Sequence, residues 1–193
     1  MVNDYRKFWH NKPTAPILYA NGDSFTWGTG IGNITAKPQH DFESFNNARL
    51  NNTWPGQLAD LLGGQYINDG WAGGSNARMV RRTVQFVNDI EDCADVIVVI
   101  AWSSAVRVEY ARPTVPVDTE VPYKYQGRTG PYDIQGDTTF VQIQESGLNS
   151  PRDPFHPPDR EYQKMYYTKH SDSDLFVMFL EQVINLQKFY VNH

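Results

Sequence analysis

A serine placed for chemistry stands in Tyr19-Ala20-Asn21-Gly22-Asp23-Ser24-Phe25-Thr26-Trp27-Gly28. The residues before it, Pro16-Ile17-Leu18-Tyr19-Ala20, form a continuous apolar run closed by a Gly/Asp/Ser cluster, the pattern of a short buried strand entering a turn. Open α/β sheets carry their reactive groups just past strand ends, which makes the Ser24 hydroxyl a candidate reactive group. Gly-Asp-Ser is also ordinary turn chemistry, and on these residues alone both readings stand.

The elements that would position Ser24 follow from the pattern downstream. Thr53 as N-cap, Pro55 near the first turn and Gly63-Gly64 as a stop predict a short helix through Leu62, with Trp54, Leu58, Leu61 and Leu62 as its apolar face. Gln65-Tyr66-Ile67-Asn68 reads as a second strand running into Asp69-Gly70-Trp71-Ala72-Gly73-Gly74-Ser75. From Ser75 to about Ile90 a helix is predicted with Met79, Val80, Thr83, Val87 and Ile90 on its buried face, and Arg78, Arg81 and Arg82 on a solvated one. Asp95-Val96-Ile97-Val98-Val99-Ile100-Ala101 is apolar and β-branched throughout, as in a strand covered on both faces. It ends in Trp102-Ser103-Ser104. Strands alternating with helices imply a parallel sheet, so the strand ends at Ser24, Gly73 and Ser103 are expected to face one crevice.

Residues 105–170 are rich in proline and tyrosine and show no helical period, which predicts a folded insertion or lid. Within it, Tyr123-Lys124-Tyr125 and Thr138-Thr139-Phe140-Val141-Gln142-Ile143 are expected to pair across Gly127 to Gly136. Ser171-Asp172-Ser173-Asp174 then caps a last helix through about Tyr190, with Phe176, Phe179, Leu180, Val183, Gln187 and Tyr190 on its core face.

Composition bounds the function classes. At 193 residues and 40% hydrophobic content, the chain is expected to be one globular domain able to bury its own core. Its single cysteine, Cys93, cannot form an internal bridge and argues against a disulfide framework or a zinc site. A net charge of -5 argues against nucleic acid as ligand, and Arg78, Arg81 and Arg82 are the only dense cationic group. The polar start and the lack of a long apolar run predict a cytoplasmic protein with no signal peptide and no membrane span. Gly28-Thr29-Gly30-Ile31-Gly32 has neither the dinucleotide-binding spacing nor a Gly-Lys-Ser/Thr ending, so no phosphate-binding loop and no cofactor are expected.

Three separated motifs together resemble the SGNH (GDSL-type) hydrolases, in the divergent form seen in phage proteins: Gly22-Asp23-Ser24, then Asn68-x-Gly70-x-x-Gly73-Gly74-Ser75, then the strand ending in Ala101-Trp102-Ser103-Ser104. The resemblance covers roughly residues 14 to 110 and, by position, the last helix. It implies a flavodoxin-like three-layer α/β sandwich with a short parallel sheet. It also implies Ser24 as the nucleophile of ester hydrolysis and Gly73 as a backbone oxyanion donor. The family's third block ends in Gly-x-Asn-Asp, whose asparagine is a further oxyanion donor; here Ser103 stands there, with a hydroxyl able to donate over a shorter reach. The family's C-terminal Asp-x-x-His block, source of the base and its orienting acid, has no counterpart after the last helix. The chain's one Asp-x-x-His is Asp153-Pro154-Phe155-His156 in the insertion, out of the family's order but admissible because triads recur in different chain orders. The same residues also read as an exposed proline-rich loop, and His170 and His193 are the other candidate bases.

Two functions follow as expectations. One is an esterase acting on a small ester or an acylated carbohydrate, with Ser24, His156 and Asp153 catalytic and Gly73 and Ser103 at the oxyanion. The other is a catalytically deficient SGNH-like binding or structural module, associated with a phage particle. On this second reading a sheet of three parallel strands is expected to leave the Asp95 to Ala101 edge unpaired, to be covered by the insertion or by a protein partner. A third expectation is a fragment whose missing end held the true base.

Overall fold

The computed structural model describes residues 16–29, 31, 51–90, 95–113, 132–135, 138–143 and 157–191. Their contacts group into two compact units. One comprises Asn3–Ala72 and Gln85–Trp102; the other comprises Met1–Val2, Gly73–Val84 and Ser103–His193. The architecture is mixed α/β, and each unit is built on its own three-stranded sheet.

The first unit holds the parallel sheet, in the order β2-β1-β3. Strand β1 (Ile17–Gly22) pairs on one side with β2 (Gln65–Asn68), Ile17 opposite Gln65, and on the other with β3 (Val96–Ala101), Ile17 opposite Val96. Every residue of β1 is buried, as a central strand requires. Tyr19 stacks on Phe86 with ring centroids 4.0 Å apart, and Ile17, Leu18, Ala59 and Ile67 fill in around them. Among the described residues β3 lies at the sheet edge, as expected. Its side chains are only half covered and Ile97 is exposed, so its apolar run does not mark a strand buried on both faces. A short apolar run looks the same at an edge as at a centre until its neighbours are known.

Helix α1 (Ser24–Trp27) follows β1 directly, and α2 (Trp54–Leu62) begins at Thr53 and ends at the left-handed Gly63. The buried residues of α2 are Pro55, Gly56 and Ala59; Leu61 is 85% exposed and Leu62 is exposed too, so its inward face is not the leucine-rich one. Small residues let a helix approach its sheet closely, and here that closeness outweighs side-chain size.

The second unit holds an antiparallel sheet of order β4-β6-β5. Strand β6 (Thr138–Ile143) forms where expected, paired with β4 (Val108–Pro113) and β5 (Tyr132–Gln135). The expected hairpin partner, Tyr123-Lys124-Tyr125, lies outside the described residues. Helix α3 (Asn76–Asp89) contributes residues to both units, and Met79, Thr83, Val87 and Ile90 are buried as anticipated. Its arginines are not solvated: Arg78 is 2% exposed and Arg82 6%. Arg81 forms a bidentate ion pair with Glu109 at 2.8 Å through each nitrogen, and the Phe140 ring lies 3.6 Å from its guanidinium carbon. A guanidinium tolerates such burial when its fork is matched by a carboxylate.

A helix the sequence reading missed, α4 (Pro157–Lys169), lies in the expected insertion. Its Tyr162, Tyr166 and Tyr167 pack with Val108 and Tyr110 over Val141 and Ile143. The Tyr110 hydroxyl donates to Asp159, and burial, then the neighbouring Tyr162, raise the Tyr166 phenol above 10.0.

Helix α5 (Asp172–Val191) starts as predicted at Ser171. The Ser171 N–H donates to Asp174 Oδ2 at 2.9 Å and the Asp174 N–H donates to Ser171 Oγ at 3.3 Å, a reciprocal capping box. Ser171→Ala is expected to cost about 1 kcal/mol in a urea titration. The Ser171 N–H, then its hydroxyl, then His170 hold the Asp174 carboxyl below its ordinary 3.8. A depressed folded-state value adds stability above the unfolded value that is lost as pH falls through the folded one. The stability gap between wild type and Asp174→Asn, present at neutral pH, is therefore expected to close on acidification below 3.8.

Candidate functional site

Ser24 is presented by a tightly braced turn. Asp23, in an extended conformation, caps α1 by accepting the Phe25 N–H on Oδ1 at 3.0 Å. Ser24 is the first residue of the helix, and its carbonyl accepts from the Gly28 and Thr29 N–H groups at 3.0 and 2.9 Å. Gly28, at φ 88°, stops the helix after one turn. The serine is half-buried, its neighbour Phe25 is 79% exposed, and among the described residues no hydrogen bond engages the Ser24 hydroxyl.

The brace comes from the stretch after β2. Asn68 Nδ2 donates to the Thr26 carbonyl at 2.7 Å, while Asn68 Oδ1 accepts the Gly70 N–H at 3.0 Å. A Cβ at Gly70 would stand 2.6 Å from the Trp27 amide nitrogen, and one at Gly22 would stand 2.1 Å from Thr26 Oγ1, so only glycine permits this approach. Trp54 Nε1 also donates to Thr26 Oγ1 at 3.2 Å. Below the turn, Tyr19 donates to Asp69 Oδ2 at 2.8 Å and accepts from Asn21 Nδ2 at 3.2 Å, while the Trp71 N–H donates to the Gly22 carbonyl at 2.9 Å. Asn68 and Gly70 thus position the serine turn. Asn68-x-Gly70 stood in the second sequence motif without a role; Tyr19, Asn21, Thr26 and Asp69 carried no local signal.

The other candidates belong to the antiparallel-sheet unit. Gly73 has φ +85°, a left-handed conformation, and open space where a Cβ would be. Ser75 caps α3, its hydroxyl accepting the Arg78 N–H at 3.2 Å and donating to Gln142 Oε1 at 2.8 Å. Asn76 clamps the turn after β3: its Oδ1 accepts the Ser103 N–H at 2.8 Å and its Nδ2 donates to the Ser103 carbonyl at 3.1 Å. The Ser103 hydroxyl accepts from Arg107 Nη1 at 2.9 Å. His170 packs edge-on against Tyr166 at 4.3 Å. Asp153, His156 and His193 lie outside the described residues.

Among the described residues no group of three or more His, Cys, Asp or Glu could hold a metal ion, and no helix is long and apolar enough to cross a membrane. A family model described as a family of unknown function (DUF6071) matches residues 37–193, downstream of β1 and the Ser24 turn. No curated protein and no solved structure matches the chain.

Proposed function

From the premise that the chain belongs to the family of unknown function DUF6071, which brings no activity with it, we propose that it is an SGNH-like serine hydrolase cleaving ester bonds with Ser24 as nucleophile. The observation that carries this reading is a serine hydroxyl, unengaged among the described residues, on the first turn after the central parallel strand. The β2-β1-β3 order supports a flavodoxin-like three-layer arrangement for that unit.

In the proposed reaction Ser24 Oγ bonds to the acyl carbon while His156, oriented by Asp153, takes its proton and passes it to the leaving alcohol. Water then cleaves the acyl-enzyme and the proton returns to Ser24; the oxyanion roles of Gly73 and Ser103 are those the family resemblance implies. A small ester or an acylated sugar fits this chemistry. A fluorophosphonate probe is expected to label the wild type and to leave Ser24→Ala unlabelled, with both proteins giving the same circular dichroism spectrum. Absence of labelling in folded wild type would overturn the assignment.

One observation favours the second reading, a binding or structural module without catalysis. Where the family has an oxyanion-donating asparagine, this chain has Ser103, whose side chain is shorter and whose oxygen accepts from Arg107. Losing one such donor commonly removes about 2.7–4 kcal/mol of transition-state stabilisation. On that reading the wild type stays unlabelled and the open β3 edge serves a protein partner.

A further inference from the structure

Helix α5 is apolar on two faces, and only one of them is buried. Leu175 and Leu186 are 2% and 3% exposed, and Phe179 and Gln182 complete their 4-3-4 spacing. The opposite face carries Val177, Leu180, Ile184 and Gln187 at 3-4-3 spacing, the seam of a helix pair. Val177 is 54% exposed, Leu180 41% and Ile184 48%, with Phe176 beside them at 52%. The sequence pattern assigned Phe176, Leu180 and Gln187 to the core face; the fold turns them outward. Scattered exposed apolar residues are ordinary, but a contiguous stripe over three helical turns marks an interaction surface.

We propose that this stripe is the seam on which α5 pairs antiparallel with α5 of a second copy of the chain. The charges beside it select that occupant. Glu181 and Lys188, both exposed, lie on the same flank of the stripe, seven residues apart. An antiparallel copy related by a two-fold axis between Ile184 and Asn185 sets each Glu181 opposite the copy's Lys188, and Ile184 opposite the copy's Asn185. A parallel, in-register copy sets these charges opposite Phe176, Val183 and Tyr190, which offer no ion-pair partner. The charges beside the stripe are thus complementary in the antiparallel orientation only. A 20-residue helix pair is a small interface, so the dimer is of the weak, concentration-dependent class.

The proposal is independent of any role for Ser24. In sedimentation equilibrium of the full chain, from about 5 to 300 μM, the mass is expected to rise from 22.1 kDa towards twice that value. Leu180→Ser with Ile184→Ser should hold the chain at 22.1 kDa while its far-UV spectrum is unchanged, because both positions face outward. Glu181→Lys alone or Lys188→Glu alone should raise the dissociation constant about tenfold, and the two together should restore it to within about twofold. A wild type of monomer mass at every concentration would mean that another macromolecule or another segment covers this face, and would overturn the proposal. So would a dimer left intact by the serine substitutions, or charge reversals that the double swap does not repair.

Discussion

Glu109→Ala is expected to destabilise the antiparallel-sheet unit by about 3 kcal/mol, a large part of the stability of a small domain. The Glu109 side chain is 6% exposed and holds Arg81 through both oxygens, while Gln142 Nε2 donates to the same carboxylate. Removing it takes from the Arg81 guanidinium, packed on the Phe140 ring, both hydrogen bonds to this carboxylate and takes from the Gln142 amide its Glu109 acceptor. Arg81 keeps 20% exposure, so water relieves part of this loss and the lower end of the range for a broken buried pair applies. Replacing both partners, as in Arg81→Met with Glu109→Met, should recover most of the loss, since no charge is then left buried. A urea titration that gave under about 1 kcal/mol for Glu109→Ala would show the pair to be solvated in practice. The damage should also travel along the chain: Gln142 holds Ser75, and the next residue, Asn76, clamps the Ser103 turn.

Gly70→Ala should be comparably severe, for a steric reason. The new Cβ would lie 2.6 Å from the Trp27 amide nitrogen and 2.8 Å from the Thr26 carbonyl carbon, backbone atoms that cannot rotate aside. About 3 kcal/mol is the expected loss, and the displaced element is α1, which begins at Ser24. At denaturant-free conditions where the variant remains folded, fluorophosphonate labelling of Ser24 should slow at least about tenfold, because a misplacement near 1 Å is that costly to a reacting group. Gly63→Ala provides the control. Its φ of +65° disfavours alanine, but nothing lies within 4 Å of the new Cβ, so about 1 kcal/mol and unchanged labelling are expected. Equal effects at the two glycines would show that the close approach at Gly70 does not brace the serine.

Reading the chain in one dimension succeeded where the controlling forces are local. The run from Ile17, the Gly63 stop, the Gln65–Asn68 strand and the Ser171 cap all declare themselves within a few residues, through apolar continuity, left-handed glycine and side-chain capping. It failed where the deciding partner is distant. Arg78, Arg81 and Arg82 look like a solvated helix face, but Arg78 and Arg82 are buried and Arg81 meets the carboxylate of Glu109, 28 residues on. Helix α4 was hidden because its tyrosines fit a strand or a loop as readily as a helix, and only packing against Tyr110 and Val141 chooses.

For the candidate site the division is similar. The amino-acid sequence by itself determined that a serine stands just past an apolar strand, inside a Gly-Asp-Ser turn, because strand, cap and stop are all encoded within twelve residues. Only the tertiary structure decided that Asn68 and Gly70 brace that turn, and which face of α5 is left to solvent. The first depends on a backbone approach too close for any side chain. The second depends on a rotation of the helix about its axis, which its 3-4 spacing of apolar residues on both faces leaves undetermined until tertiary packing buries one of them.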